Sequence, residues 1–535
     1  MSPDATTQAT VRPTLAPGEL PLVTKVIAFF TMCVGSFIAL LDIQIVSASL
    51  GEIGGGLSAS PDEVAWVQTS YLIAEIIVIP LTGWLSHVMS TRWLFCVSAA
   101  GFTLSSLLCG WAWDLPSMIV FRALQGFVGG AMIPTVFTAA FLFFPNPQQI
   151  VIAAATLGGV ASLAPTLGPT VGGWITDNYS WHWIFYVNLV PGIFITVAVP
   201  MLVRIDRPNL KLLRDADYLG MVLMAVFLGS LEYTLEEGAR WDWFGDETIR
   251  ATAWTAAISG VAFLWRSLSY VNPIVDLRAF KSRNFALGCF FSFVTGIGIF
   301  TTIYLTPLFL GRVRGFSALQ IGLSVLSTGL FQVASIPIYT YLARRIDLRW
   351  LMMCGLAGFA ASMWNFVPIT HDWGWRELLL PQAFRGFSQQ FAAAPVVTLT
   401  LGSLAPDRLK LASGLFNLMR NLGGAIGIAV CGTILNDRGN LHFLRLAEHL
   451  NTTNAAMTAW LQQQAAVDSV HWDDPTQGHV AALKQLWSLT WREAQTQTYA
   501  DAFLAIAVCF VIATAMVPLM RKAKGRSAPA SSAAH

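Results

Sequence analysis

Apolar and polar positions along this 535-residue chain separate into long apolar blocks with short polar punctuation. Runs able to cross about 30 Å of hydrocarbon occur near 26–49, 63–86, 93–112, 117–144, 150–175, 183–203, 217–236, 251–270, 285–310, 319–342, 350–369, 377–402, 410–435 and 498–520. The pattern predicts an all-α polytopic membrane protein of about fourteen transmembrane helices, embedded in a lipid bilayer, with both termini on one side. Lysine and arginine favour that side by about two to one, which places both termini in the cytoplasm; Arg312 and Arg314 run against the trend. Residues 1–20 lack the basic start and short apolar core of a cleavable signal, so the first run stays as a membrane helix.

One long hydrophilic stretch, 436–497, interrupts the pattern and falls outside the membrane by helix parity. Its early part, from Leu441 to Leu450, has an amphipathic helical spacing. Such a face either docks a partner or packs over the mouth of the bundle.

Composition agrees with the pattern: 55% of residues are hydrophobic and 12% charged, against about 25% charged in soluble domains. The net charge of +2 is too small to suggest a nucleic-acid partner. All seven cysteines fall in apolar runs with no CxxC pair, so they read as small core residues rather than disulfide or metal ligands. His442, His449, His471 and His479 lack a tight metal-ligand spacing. No GxxxxGK[ST] is present, which argues against ATP drive, and no cofactor is expected.

Charges inside the apolar runs carry the candidate chemistry, because a charge near the bilayer centre costs several kcal/mol and persists only with a partner or a wet cavity. Arg122 lies about 9 Å below the surface of the fourth helix at 1.5 Å per residue, followed by Gln125 and by Gly126, Gly129 and Gly130, which clear a face for close approach. Asp42, with Gln44 beside it, sits about 10 Å inside the outer end of the first helix, at nearly the depth of Arg122. Ser60-Pro61-Asp62-Glu63 reads as a capping box that starts the second helix and puts Glu75 about 18 Å deep. For each acid the alternative is a structural ion pair or a protonated carboxyl bonded to backbone, and for Arg122 it is a snorkelling side chain. Glu232 and Glu236 share a face of the seventh helix at i, i+4 but fall near the water boundary, which predicts solvation.

The fifth helix carries Gly168-Pro169 and Gly172-Gly173, a kink with a smooth face suited to a moving contact or to plain close packing. After the second helix comes a short cytoplasmic turn with Gly83, His87 and Arg92. A weak internal repeat pairs Phe121-Arg122, Pro134 and Pro145 with Phe384-Arg385, Pro395 and Pro406; the thirteenth helix adds Asn417, Arg420, Asn421 and Gly424.

Taken together, Leu41-Asp42, Arg122-x-x-Gln125-Gly126, Gly168-Pro169-x-x-Gly172-Gly173, the Asp217 to Trp243 stretch and Arg420-Asn421-Leu422-Gly423-Gly424 resemble the major facilitator superfamily. Within it they resemble the fourteen-helix drug:proton antiporters, the EmrB/QacA-like multidrug exporters. The resemblance implies a major facilitator fold of two six-helix bundles plus two inserted helices, with alternating access around a central cavity. It divides the chain into a cytoplasmic tail (1–25), a first bundle (26–205), a linker with the inserted helices (206–275), a second bundle (276–520) holding the periplasmic stretch 436–497, and a cytoplasmic tail (521–535). It also implies a secondary active transporter rather than an enzyme, in a bacterial inner membrane, exporting amphipathic or hydrophobic small-molecule drugs in exchange for protons. Asp42 and Arg122 would belong to the proton-coupling apparatus with Glu75; Gln44, Gln125, Arg385, Asn417 and Arg420 are the cavity and substrate candidates. An EmrA-like periplasmic adaptor and a TolC-like outer-membrane channel are the partners it suggests. Two departures stand out: in the cytoplasmic turn His87 replaces the usual aspartate and Ser90 the usual glycine, which puts the usual charge-relay latch in doubt although Arg92 remains, and the fifth-helix segment begins with Ala164 in place of the usual glycine, a mild change. An uptake symporter, or a membrane enzyme or sensor on an inactive scaffold, are the other readings.

Overall fold

The computed structural model describes residues 21–521 apart from 145, 204, 215, 271–272, 403, 405, 452 and 473–474. The expected tails at 1–25 and 521–535 lie almost wholly outside the described residues, as do Pro145 of the sequence repeat and the side chain of His471. The described residues form helices and no strand. In chain order these are α1 (Leu22–Ala48), α2 (Trp66–Met89), α3 (Thr91–Cys109), α4 (Leu115–Phe143), α5 (Pro147–Asn178), α6 (Trp183–Leu202), α7 (Tyr218–Gly238) and α8 (Glu247–Ser269). They continue with α9 (Arg283–Arg312), α10 (Ala318–Ala343), α11 (Leu348–Phe366), α12 (Trp375–Leu401), α13 (Pro406–Glu448), α14 (Ala455–Trp472) and α15 (Pro475–Met516). Among the described residues, eleven helices are long and apolar enough to cross a membrane. The less apolar α8, α11 and α12, of 23, 19 and 27 residues, are also long enough, and they pack against α7 or inside the second half.

The packing repeats. In the first half α1 packs on α5 and α6, α2 on α4, and α3 on α4 and α6; in the second, α9 packs on α13 and α15, α10 on α12, and α11 on α12 and α15. Between the halves the main contacts are α2 on α13 and α5 on α10, which exchange when the halves are swapped. This is a pseudo-twofold arrangement of two six-helix bundles, more regular than the proline echo in the sequence.

Local chemistry sets the element starts. Ser60 and Glu63 form the expected capping box, with Ser60 N donating to Glu63 Oε2 at 2.9 Å, but it opens a one-turn helix, Pro61–Val64, before α2 begins. The backbone hydrogen bond from Ser60, and then its hydroxyl, hold the Glu63 carboxyl below the usual carboxylate range. Asp217 caps α7 by accepting from Gly220 N at 3.0 Å and pairs with Arg266 of α8 at 3.0 Å, which ties the inserted helices together. Helix α7 lies against both α2 and α13.

The stretch 436–497 is not a loop. Helix α13 runs unbroken for 43 residues and α15 for 42, about 65 Å each at 1.5 Å per residue, roughly twice the hydrocarbon thickness. Their extensions, with α14, make a helical hairpin beyond the bundle. Arg438 and His442 of α13 hold Asp501 of α15, each at 2.8 Å, and Phe443 meets the rings of Trp487 and Trp491. Hydropathy fails to show this because it registers only the loss of apolar residues past 435, and the helix continues through Gly439.

Candidate functional site

Three polar assemblies sit along the axis between and within the halves. The first is buried in the first bundle. Arg122 of α4 and Asp42 of α1, both fully buried, form an ion pair at 2.6 Å. The same Nη1 donates to Gln125 Oε1 at 2.6 Å, and Arg122 Nε donates to the Val67 carbonyl of α2 at 3.1 Å. Asp42 Oδ1 also accepts from Asn188 of α6 at 2.7 Å and from Gln125 Nε2 at 3.2 Å, while Gln125 Nε2 donates to Ser106 Oγ of α3 at 2.7 Å. The guanidinium lies over the Tyr71 ring, 4.3 Å from its centroid. Five helices thus converge on one charge pair, as a buried pair demands if its desolvation is to be offset. The glycines after Arg122 explain how α2 comes so close: a Cβ at Gly126 would lie 2.3 Å from the Tyr71 carbonyl oxygen, and one at Gly130 would lie 2.9 Å from Glu75 Cγ.

The second assembly is a cavity of about 320 Å³ between the halves. Its apolar wall includes Leu72, Ile76, Ile133, Phe300 and Ile303, and its polar lining includes Gln44, Gln68, Tyr304 and Asn421. Three carboxylates reach it: Glu75 of α2, and Glu232 and Glu236 of α7. Glu75 and Glu232 are only 4% and 5% exposed, and Glu236 is half-buried. The expectation that Glu232 and Glu236 are solvated at the water boundary is therefore corrected, because α7 packs against α2 and α13, which turn this face of the helix inward. Among the described residues, no lysine, arginine or histidine lines the cavity.

Of the cavity candidates named from sequence, Gln44 lines this space. Gln125 belongs to the buried cluster instead. Arg385 of α12 is buried among Thr328, at 2.8 Å, and Gln382, at 3.3 Å; this second-half counterpart of Arg122 has no acid partner among the described residues. Asn417 is buried and donates to the Ser413 carbonyl at 2.9 Å. Arg420 lines a smaller neighbouring pocket, its guanidinium 5.3 Å from the centroid of the Phe137 ring. Pro169 borders the main cavity, and the flanking glycines set helix contacts: a Cβ at Gly168 would lie 2.3 Å from Gln44 Cβ of α1, and one at Gly173 would lie 2.8 Å from Ala318 Cβ of α10. Gly172 faces Ile45 on the α1 side. Helix α5 is thus pressed between its own bundle and the opposite one.

The third assembly closes the end of the bundle opposite the cavity, where α2 ends and α3 and α13 begin. Lys410 of α13 pairs with Asp206, which follows α6, and donates to the Ser86 carbonyl of α2 at 3.0 Å. Asp206 also accepts from Thr91 N at 2.9 Å, at the first residue of α3. Nearby, the Thr138 and Ser413 hydroxyls meet at 2.6 Å across the halves, and a Cβ at Gly83 would lie 2.7 Å from Leu411 Cα. His87 is half-buried beside this contact, and Arg92 packs over the Trp93 ring at 5.1 Å. Asp206 thus brings a carboxylate to this turn from another segment. Sequence reasoning missed Asp206, Lys410, Asn188 and Ser106. Asn188, a carboxamide inside an apolar run, carried a readable signal, whereas Asp206 and Lys410 lie in ordinary polar turns.

The Major Facilitator Superfamily pattern matches residues 32–428 and, in a second register, 288–534. The chain belongs to that superfamily. It is 37% identical over 508 residues to the colistin resistance protein EmrB of Acinetobacter baumannii, covering 95% of this chain and 98% of that protein. It is 32% identical over 439 residues to the multidrug export protein EmrB of Escherichia coli strain K12, covering 82% and 85%. These relatives place the superfamily member in the EmrB-like branch. Among solved structures, the proton:xylose symporter XylE superposes with a TM-score of 0.61 at 11% identity, over 94% of this chain and 97% of that one, a likeness of fold alone.

Proposed function

We propose that this superfamily member is a proton-coupled antiporter that exports amphipathic or hydrophobic small molecules by alternating access. The observation that carries the reading is the cavity between the halves, apolar-walled and carrying Glu75, with the opposite end of the bundle held shut by Lys410 and Asp206. With the termini in the cytoplasm, this is the outward-facing arrangement of a transporter in a bacterial inner membrane. The relatives, a colistin resistance protein and a multidrug export protein, support export over uptake.

Proton coupling follows from adjacency. Tyr71 and Glu75 lie one turn apart on the same face of α2, and Arg122 grips that face through the Tyr71 ring and the Val67 carbonyl while holding Asp42. A proton gained or lost at Glu75 alters the field on Arg122, and through it the packing of α2, a helix of the inter-half contact. Asp42, sealed from the cavity, acts as Arg122's counter-charge. Inward proton movement supplies about 2.3 kcal/mol per charge per 100 mV, plus any pH gradient.

A periplasmic adaptor and an outer-membrane channel would carry the exported molecule across the envelope. The hairpin of α13, α14 and α15 supports this: it projects from the cavity side and leaves Leu444, Val467 and Val480 about three-fifths exposed.

Inverted membrane vesicles test the transport reading. With an acidic lumen they should accumulate an amphipathic dye against its gradient; accumulation only with an alkaline lumen would establish symport and overturn the assignment.

A further inference from the structure

We infer that a separate polar pocket at the root of the helical hairpin binds a phosphate group, that of a lipid headgroup or of free phosphate, and that Arg312 is its anchor. The inference is independent of what the transporter carries and of the direction in which it carries it.

The pocket, of about 270 Å³, lies where the end of α9 meets the base of the hairpin, and it shares no lining residue with the cavity between the halves. The apolar run of α9 stops at 310, that of α13 stops at 435 and that of α15 begins at 498. The pocket therefore sits where hydrocarbon gives way to lipid headgroups. Arg312 and Arg314 are the two arginines that run against the charge asymmetry of the chain. Arg314 is accounted for, because it donates to the His371 carbonyl at 3.1 Å and lies 3.7 Å from Asp372. Arg312 is exposed, lines the pocket and makes no ion pair or hydrogen bond among the described residues.

Around Arg312 stand further donors without partners. Tyr499 lines the pocket and is 1% exposed, and its ring is held edge-on by Phe309, with centroids 5.4 Å apart. Its hydroxyl bonds to nothing among the described residues, although buried hydroxyls are normally satisfied. The Arg312 charge is near enough to be felt at Tyr499. The carboxamides of Asn440 and Gln495 line the same space and are also without a hydrogen bond among the described residues.

Among the described residues no acid lines the pocket. Asp501, just beyond it on α15, is held by Arg438 and His442, each at 2.8 Å. Glu236 is felt at Tyr304, as Arg312 is, but it faces the cavity between the halves. A free guanidinium presents paired N–H groups that match two oxygens of a phosphate. The tyrosine hydroxyl and the two carboxamides supply donors for its remaining oxygens. A cation entering here meets like charge, and phosphate is the anion that a bilayer carries at this depth.

The test uses the full-length protein, delipidated in a neutral detergent, and three probes: phosphatidylglycerol, diacylglycerol with the same acyl chains, and inorganic phosphate. Native mass spectrometry counts bound lipid, and unfolding temperature reports phosphate. Arg312→Gln should weaken binding of one phosphatidylglycerol by about tenfold or more, the size of losing a charge-assisted contact. Arg312→Lys should keep part of that affinity, having the charge without the fork. Tyr499→Phe, which keeps the ring on Phe309, should weaken binding about fivefold. Arg314→Gln should bind phosphatidylglycerol as the parent does, and diacylglycerol should not distinguish the variants. Stabilisation by phosphate alone, lost in Arg312→Gln, would show that the free anion suffices; variant-sensitive lipid binding without it would assign the site to a headgroup. Unfolding temperature without added probe checks that each variant is folded. If folded Arg312→Gln binds phosphatidylglycerol and phosphate as the parent does, or if diacylglycerol shows the same variant dependence, the inference is overturned.

Discussion

Lys410 and Asp206 join the second bundle to the first across the end of the molecule opposite the cavity, and the lysine side chain there is 9% exposed and the aspartate 17%. Removing one partner from a buried pair costs about 3–5 kcal/mol, and less at this partial exposure. Because every 1.4 kcal/mol shifts a two-state ratio tenfold, the pair can bias which side of the transporter is open. Lys410→Gln and Asp206→Asn should each raise labelling of a cysteine placed at Thr138 by a membrane-impermeant thiol reagent from the cytoplasmic face, by about tenfold. The exchange Lys410→Asp with Asp206→Lys should reverse part of that increase, but not all, because the new lysine cannot accept from Thr91 N. Labelling that stays at the parent level in both single variants would show that the remaining packing alone closes this end.

Ser90, at the start of α3, has a φ of +73°. The left-handed region costs a residue with a side chain about 1–3 kcal/mol, and glycine avoids this. Ser90 Oγ accepts from Trp93 N at 3.4 Å, a cap whose replacement by glycine costs only a few tenths of a kcal/mol. Ser90→Gly should therefore stabilise the purified protein by about 1 kcal/mol in a detergent unfolding assay, and a less stable variant would mean that the cap outweighs the strain.

The legible part of the fold and site was what hydropathy can mark. Arg122, Asp42 and Glu75 stood out because each is a charge inside an apolar run, and equal depth alone paired the first two. Glu232 and Glu236 were misjudged because an apolar run ending near 236 looks the same whether the next layer is water or helix; only the packing of α7 on α2 and α13 decides. Asp206 and Lys410 carry no depth signal, and their meeting depends on how the bundles close. The hairpin was hidden because a polar helix and a polar loop share a composition.

The Asp42 and Arg122 pair separates structural from functional roles. Asp42→Asn leaves the guanidinium buried without its counter-charge, at a cost of about 3–5 kcal/mol, and should abolish dye accumulation in inverted vesicles. Combining it with Arg122→Met should recover most of the lost stability without restoring accumulation. Recovery of accumulation in the double variant would show that the charges serve only the fold.

Glu75 is the cavity carboxylate on the helix that Arg122 grips. Glu75→Gln cannot exchange a proton, so dye movement should become independent of an imposed pH gradient while downhill dye movement continues. Unchanged dependence on the gradient would make Glu75 a structural residue and move the coupling elsewhere.

The hairpin decides whether the transporter works with a partner. Deleting residues 441–450 would confuse two effects, because Phe443 packs on Trp487 and Trp491 inside the hairpin. Leu441 and Leu444 point outward, 36% and 61% exposed, and can be changed without touching that contact. An apolar helical stripe of this kind docks partner helices, so Leu441→Asn with Leu444→Asn should weaken co-purification of a periplasmic adaptor and lower whole-cell resistance, since two leucines buried at a docking surface are worth about 3 kcal/mol or more, about a hundredfold in affinity. Exchange in vesicles of the purified transporter should be unaffected, since the cavity carboxylates and the Lys410 contact lie in the bundle. If vesicle exchange falls together with resistance, the hairpin belongs to the transport cycle itself and the docking role fails.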